Sequence, residues 1–85
     1  MRLIDIGGGS GVADEQIIMV SMSGTTMAKS RIDKARQEDM LLDTTGRNKT
    51  RSVIITESGY VILSKMTIET LTKRINGDVK QEKSG

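Results

Sequence analysis

Three bases, Arg47, Lys49 and Arg51, stand at alternate positions in a stretch from Thr44 to Thr56 that contains no acid. In an extended backbone alternate side chains share a face, so the spacing predicts three cations projecting together from the end of a β-hairpin. Such a ribbon tip suits duplex DNA. Its charges reach phosphates, and a two-stranded ribbon fits the major groove. Thr44, Thr45, Asn48 and Thr50 add short hydrogen-bonding groups to the same segment. A competing reading makes the bases a solvated hairpin that discourages edge-to-edge pairing. Repeated around a symmetric oligomer, the same patch becomes a continuous basic track whose sites act in concert.

Other chemistry is poorly supplied. Histidine and cysteine are both absent, which removes the usual nucleophile–base pairs and nearly every zinc site. Among carboxylates, Asp14-Glu15 and Glu38-Asp39 are adjacent pairs, and adjacent residues do not share a face of a helix or strand. Asp5 and Asp43 fall inside strand-like segments and are placed to cap turns, with no partner for acid–base work at a useful spacing. The cluster Gly7-Gly8-Gly9-Ser10-Gly11 invites a nucleotide reading. A dinucleotide fingerprint needs a third glycine where this chain has Val12, and it must open a helix, so a strand-breaking turn is the expectation. Asn48-Lys49-Thr50 matches a glycosylation sequon that a cytosolic chain does not use. The sequence therefore predicts no catalysis, no cofactor, no metal and no small-molecule ligand.

The elements that must position the bases are built from few large side chains. The chain has 85 residues, a net charge of +2, and Tyr60 as its single aromatic residue. A domain of this size with an aliphatic core lies near the limit of independent stability, where disulfides, metals or association usually contribute. The first two need residues this chain lacks, which leaves association between copies. Three runs, Ile17 to Val20, Val53 to Ile55 and Val61 to Leu63, are continuously apolar and read as strands buried on both faces. Two short helices cover one face of such a sheet but not both. The surplus is then buried against another copy, or the sheet curls over it within one subunit. Polar residues interrupt the N-terminal run too early for a secretory signal, and no apolar run reaches membrane-spanning length, so a cytoplasmic protein is expected.

Along the chain, Leu3 to Ile6 reads as a strand, Val12 to Glu15 as a turn back, and Gln16 to Met22 as a second strand. The loop Ser23-Gly24-Thr25-Thr26 ends in a helix N-cap, and Ala28, Ile32 and Ala35 form the apolar stripe of a helix from about Met27 to Asp39. Leu41 to Thr45 is a third strand, and Gly46 to Lys49 carry turn chemistry. Thr50 to Thr56 and Tyr60 to Ser64 form a hairpin around Ser58-Gly59. Thr67 caps a second helix carrying Ile68, Leu71 and Ile75, and Gly77 stops it. The outcome is a domain over residues 1–76 of the α+β class, a small antiparallel sheet of four or five strands with two helices. A polar tail over 77–85 is expected to be disordered.

The order and spacing of several segments resemble the RemA family, small bacterial regulators of extracellular-matrix (biofilm) genes. They are Leu3-Ile4-Asp5-Ile6-Gly7, Ile17-Ile18, Ala35-Arg36, Met40 to Thr45, Thr50 to Ile55, Val61 to Ser64, Glu69-Thr70 and Arg74. The resemblance runs from Leu3 to about Ile75. It implies a DNA-binding transcription regulator that assembles into a ring of identical subunits, with double-stranded DNA and its own copies as partners. It also implies DNA contacts from arginines of the basic hairpin and from one arginine after the glycine turn. Arg51 and Lys49 match two of the hairpin positions. Asn48 stands where a further arginine is expected, with Arg47 one place earlier, and Gln16 holds the position after the glycine turn. The alternative is a self-assembling scaffold or protein-interaction module whose basic loops serve solubility.

Overall fold

The computed structural model describes residues 2–77. Strand β1 (Leu3–Gly7) pairs antiparallel with β2 (Ser10–Ala13) in a two-stranded ribbon closed by the glycine cluster. Gly7, Gly8 and Gly9 all have positive φ, a backbone that side-chain-bearing residues rarely adopt, so the cluster is a tight turn. A short 3₁₀ turn, Asp14–Gln16, leads into β3 (Ile17–Met22). The chain continues through α1 (Thr26–Gln37), β4 (Leu41–Asp43), β5 (Ser52–Thr56), β6 (Val61–Ser64) and α2 (Ile68–Asn76).

The second sheet has the order β3-β5-β6-β4, which corrects the expectation of one wholly antiparallel sheet of four or five strands, and Val12, expected in a turn, lies in β2 of the separate ribbon. β3–β5 and β5–β6 are antiparallel, but β4 runs parallel to β6. Helix α1 carries the chain back along the sheet, so β4 enters in the same direction as β3, and β6 separates it from β5. The segment from Thr44 to Arg51 is therefore not a hairpin tip. It bridges the end of β6, with the Thr44 amide donating to the Leu63 carbonyl at 3.1 Å and the Arg51 amide to the Ser64 carbonyl at 2.9 Å.

Every residue of β5 and β6 is buried, as their unbroken apolar runs required, but the third such run, Ile17 to Val20, corrects the expectation: β3 is an edge strand, and its Ile18 and Met19 are exposed. On one face Ile54 and Ile62 pack with Ile4 and Ile6 of the ribbon and Leu71 of α2. On the other, Val53, Val61 and Leu63 pack with Ala28 and Ala35 of α1. Each helix thus covers a different face, and the ribbon supplies the rest. The expectation of a bare central face is corrected: one subunit hides it. The apolar surface left over lies at the edges of the four-stranded sheet, at Ile18 and Met22 (each 59% exposed) on β3 and Leu42 (45% exposed) on β4, and at Leu3 (72% exposed) on the ribbon.

Local chemistry explains the element ends. Thr25 and Thr67 accept backbone amides of Ala28 and Thr70 as helix N-caps, and Gly77, with φ 81°, closes α2. Helix α1 stops at Gln37 rather than Asp39, because Asp39 takes a left-handed backbone (φ 59°) that turns the chain toward β4. Asp5 accepts the Gly7 amide at 2.9 Å, and Asp43 accepts the Thr45 amide at 2.9 Å, so both cap turns as their positions suggested. Buried Ser64 donates to the Ile6 carbonyl at 2.7 Å and Ser52 to the Met66 carbonyl at 2.8 Å, tying ribbon, sheet and α2 together. Residues 78–85, most of the expected polar tail, lie outside the described residues.

Candidate nucleic-acid interface

The topology gathers four connections at one end of the sheet: the β1–β2 turn, the β3–α1 loop, the β4–β5 bridge and the β6–α2 junction. Three of the expected site residues, Arg47, Lys49 and Arg51, are exposed on the bridge. Both helices begin at this end, so the positive ends of their dipoles point the same way as the bases. Glu15, Glu38, Asp39 and Glu57 fall at the opposite end, at the starts of β3 and β4 and in the β5–β6 turn. Lys34, Arg36, Lys73 and Arg74, in the last turns of the two helices, lie at that same far end and balance these acids, while Asp43 and Glu69 lie at the end of the bridge.

The bridge is held by its own short polar side chains. Asp43 accepts the Thr45 hydroxyl at 2.5 Å as well as its amide, and these two bonds, the hydroxyl's first, hold the Asp43 carboxyl below its ordinary pKa. Thr44 donates its hydroxyl to the Leu63 carbonyl at 2.7 Å. Asn48 closes the turn, its amide group donating to the Thr45 carbonyl at 3.1 Å, alongside the backbone bond between the same residues at 3.0 Å. Asn48 is therefore in the bridge with the three bases, and its side chain has a local structural task. The bases are not in a straight extended segment, since the chain turns at Gly46-Arg47.

Beside Lys49 and Arg51 a shallow cleft of about 260 Å³ is lined also by Met22, Ser23, Thr67 and Glu69. Ser23 fastens the β3–α1 loop to the bridge, its hydroxyl donating to the Thr50 carbonyl at 3.1 Å and its amide to the Arg51 carbonyl at 3.2 Å. The ion pairs found among the described residues are Arg2–Asp14, Arg36–Asp33 and Arg74–Asp5. None of them uses a base of the bridge.

Gln16 is not brought to this group. It sits at the far end of the sheet, where its carbonyl accepts the Glu57 amide at 2.7 Å and its side chain accepts the Ser58 hydroxyl at 3.1 Å. The length of β5 separates it from Arg51 within one subunit. Sequence reasoning also missed a base at the basic end: Lys65, exposed, immediately after β6. The signal was available in the hairpin register. Centring the β5–β6 turn on Ser58 pairs Ser52 with Ser64, which brings Lys65 to the strand end that carries Arg51.

Among the described residues no helix is long and apolar enough to cross a membrane, and no cluster of potential metal ligands is present. A family model for RemA-like proteins (extracellular matrix regulatory protein A-like) matches residues 3–75. A protein of Thermodesulfovibrio yellowstonii, named for a regulatory role, is 43% identical over 74 residues, covering 87% of each chain. One of Halothermothrix orenii, similarly named, is 41% identical over 78 residues, 92% of this chain and 93% of its own. One of Bacillus cereus is 34% identical over 85 residues, 100% of this chain and 98% of the relative.

Proposed function

The chain belongs to the RemA-like family of regulatory proteins, and from that premise we propose that it is a DNA-binding transcription regulator working as a ring of identical subunits in the cytoplasm. The observation that carries the reading is the basic bridge. Arg47, Lys49 and Arg51 are exposed, take part in none of the ion pairs found, and lie at the end toward which both helix dipoles point. A polyanion approaching that end meets these bases, with Asp43 and Glu69 as the neighbouring carboxylates. Contacts of this kind are to phosphate, with short groups such as Thr50 able to reach a groove edge. Arg51 and Lys49 are the principal contacts, Arg47 assists, and Asn48 fixes the shape of the bridge while lying beside the duplex. Gln16 reaches DNA only if the assembly turns a second surface toward it.

One subunit offers two or three phosphate contacts, too few for tight binding alone, so several bridges must act on one duplex. The sheet supplies a route to that arrangement. Its two edge strands, β3 and β4, are different surfaces with exposed apolar residues, and joining unlike surfaces head to tail generates a ring when the rotation closes. The regulated targets are genes of the extracellular matrix, in keeping with the family description. Titrating the protein with duplex DNA at low and moderate salt, while particle mass is followed by light scattering, tests both parts together. Salt-sensitive binding by a discrete multimer supports the reading. A multimer indifferent to DNA moves the chain to the scaffold alternative.

A further inference from the structure

We propose, resting on the duplex-binding reading above, that Lys65 is a further phosphate contact of the basic end. The Arg51 amide donates to the carbonyl of the peptide unit joining Ser64 to Lys65, so the two bases stand on neighbouring strand ends. Lys65 is exposed, and its side chain runs along the glycine turn: a β-carbon on Gly7 would lie 3.3 Å from the Lys65 Cε. None of the ion pairs found among the described residues uses it.

Two features make this placement costly for the fold alone. Like charges on adjacent strand ends repel each other. Lys65 also stands just before the Thr67 cap of α2, where the positive end of the helix dipole disfavours a cation. A bound phosphate reverses both terms, because it is attracted to Arg51, Lys65 and the helix terminus together. The fold uses the aliphatic stem of Lys65 against the glycine turn, whereas its charge serves a polyanion partner.

Lys65→Gln, Lys65→Arg and Arg51→Ala, each in the full chain, should be titrated with a labelled mixed-sequence duplex over a salt series, with melting temperature and particle mass recorded. Lys65→Gln is expected to weaken binding several-fold and flatten the log–log salt slope by roughly 0.9 for each phosphate left without its cation. Lys65→Arg restores binding, mass is unchanged, and melting is level with the parent or higher. Parental affinity and slope in Lys65→Gln, with Arg51→Ala impaired, overturns the role of Lys65 and leaves the bridge as the site. Parental behaviour in both variants removes the duplex-binding reading and this proposal with it. A lowered melting temperature in Lys65→Gln, without rescue of binding by arginine, assigns Lys65 a structural role and overturns the proposal.

Discussion

A β-carbon placed on Gly8 would lie 2.0 Å from the carbonyl oxygen of Thr44, so the tip of the β1–β2 ribbon rests directly on the backbone of the basic bridge. The glycine cluster therefore does more than break a strand. At Gly8 it permits a close backbone approach that helps to set where the bridge begins, and with it the start of the path to Arg47, Lys49 and Arg51.

Gly8→Ala should consequently cost more than about 2 kcal/mol, because the left-handed backbone alone costs roughly 1–2 kcal/mol and the clash forces main chain apart. Gly9 also has positive φ (78°), but nothing lies within 4 Å of the place its methyl group would take, so Gly9→Ala should cost only about 1 kcal/mol. Urea denaturation of both variants checks the order. Equal losses would contradict the packing of the ribbon on the bridge.

The fold was legible wherever one signal decided it. Unbroken apolar runs marked β5 and β6, the threonine caps marked both helices, and Ser58-Gly59 marked the hairpin. The parallel placement of β4 was not legible, because a three-residue strand carries no periodicity and its neighbour is chosen by how α1 packs. For the same reason the alternating bases looked like a ribbon tip. Their exposure was correct, but their geometry depends on a bridge anchored at both ends to β6. The expectation of a surplus apolar face did not hold: α1, α2 and the ribbon cover both faces, and the exposed apolar residues are scattered over the edge strands and Leu3 of the ribbon.

Assembly should accordingly depend on those edges. Ile18 occupies an irregularity in the β3–β5 register and Met22 the strand's end, each 59% exposed. Replacing both with Lys should leave subunit stability within about 0.5 kcal/mol per site, since exposed positions tolerate change. Light scattering should then give the 9.3 kDa chain in place of a multimer. An unchanged multimer would move the interface elsewhere.

Acid should loosen the bridge through Asp43. Its folded-state pKa is depressed by the Thr45 hydroxyl and amide, so its contribution is complete above the ordinary carboxylate pKa of about 3.9 and is lost as pH falls through the folded value. Asp43→Asn should be less stable than the parent at neutral pH and should show a shallower loss of stability below about pH 4. Urea midpoints measured across that range check the sign. An equally steep acid loss in the variant would show that other carboxylates dominate.

Asn48→Ala should destabilise by about 1 kcal/mol, the net value of an ordinary hydrogen bond, because the Thr45 carbonyl loses its side-chain donor. Its effect on DNA should come through bridge shape, so binding should weaken with little change in salt slope. Thermal melting together with salt-series titration separates the two contributions, and a slope reduced as far as that of a lysine variant would contradict the structural role.

That the bridge holds the duplex is tested most directly by replacing Arg51 and Lys49 with Ala together and measuring duplex affinity across a salt series in particles of verified mass. The expected result is an intact multimer with weaker binding to every duplex and a log–log slope made shallower by roughly 0.9 for each phosphate no longer neutralised. Unchanged affinity and slope in an intact multimer would place the DNA site elsewhere and refute the bridge.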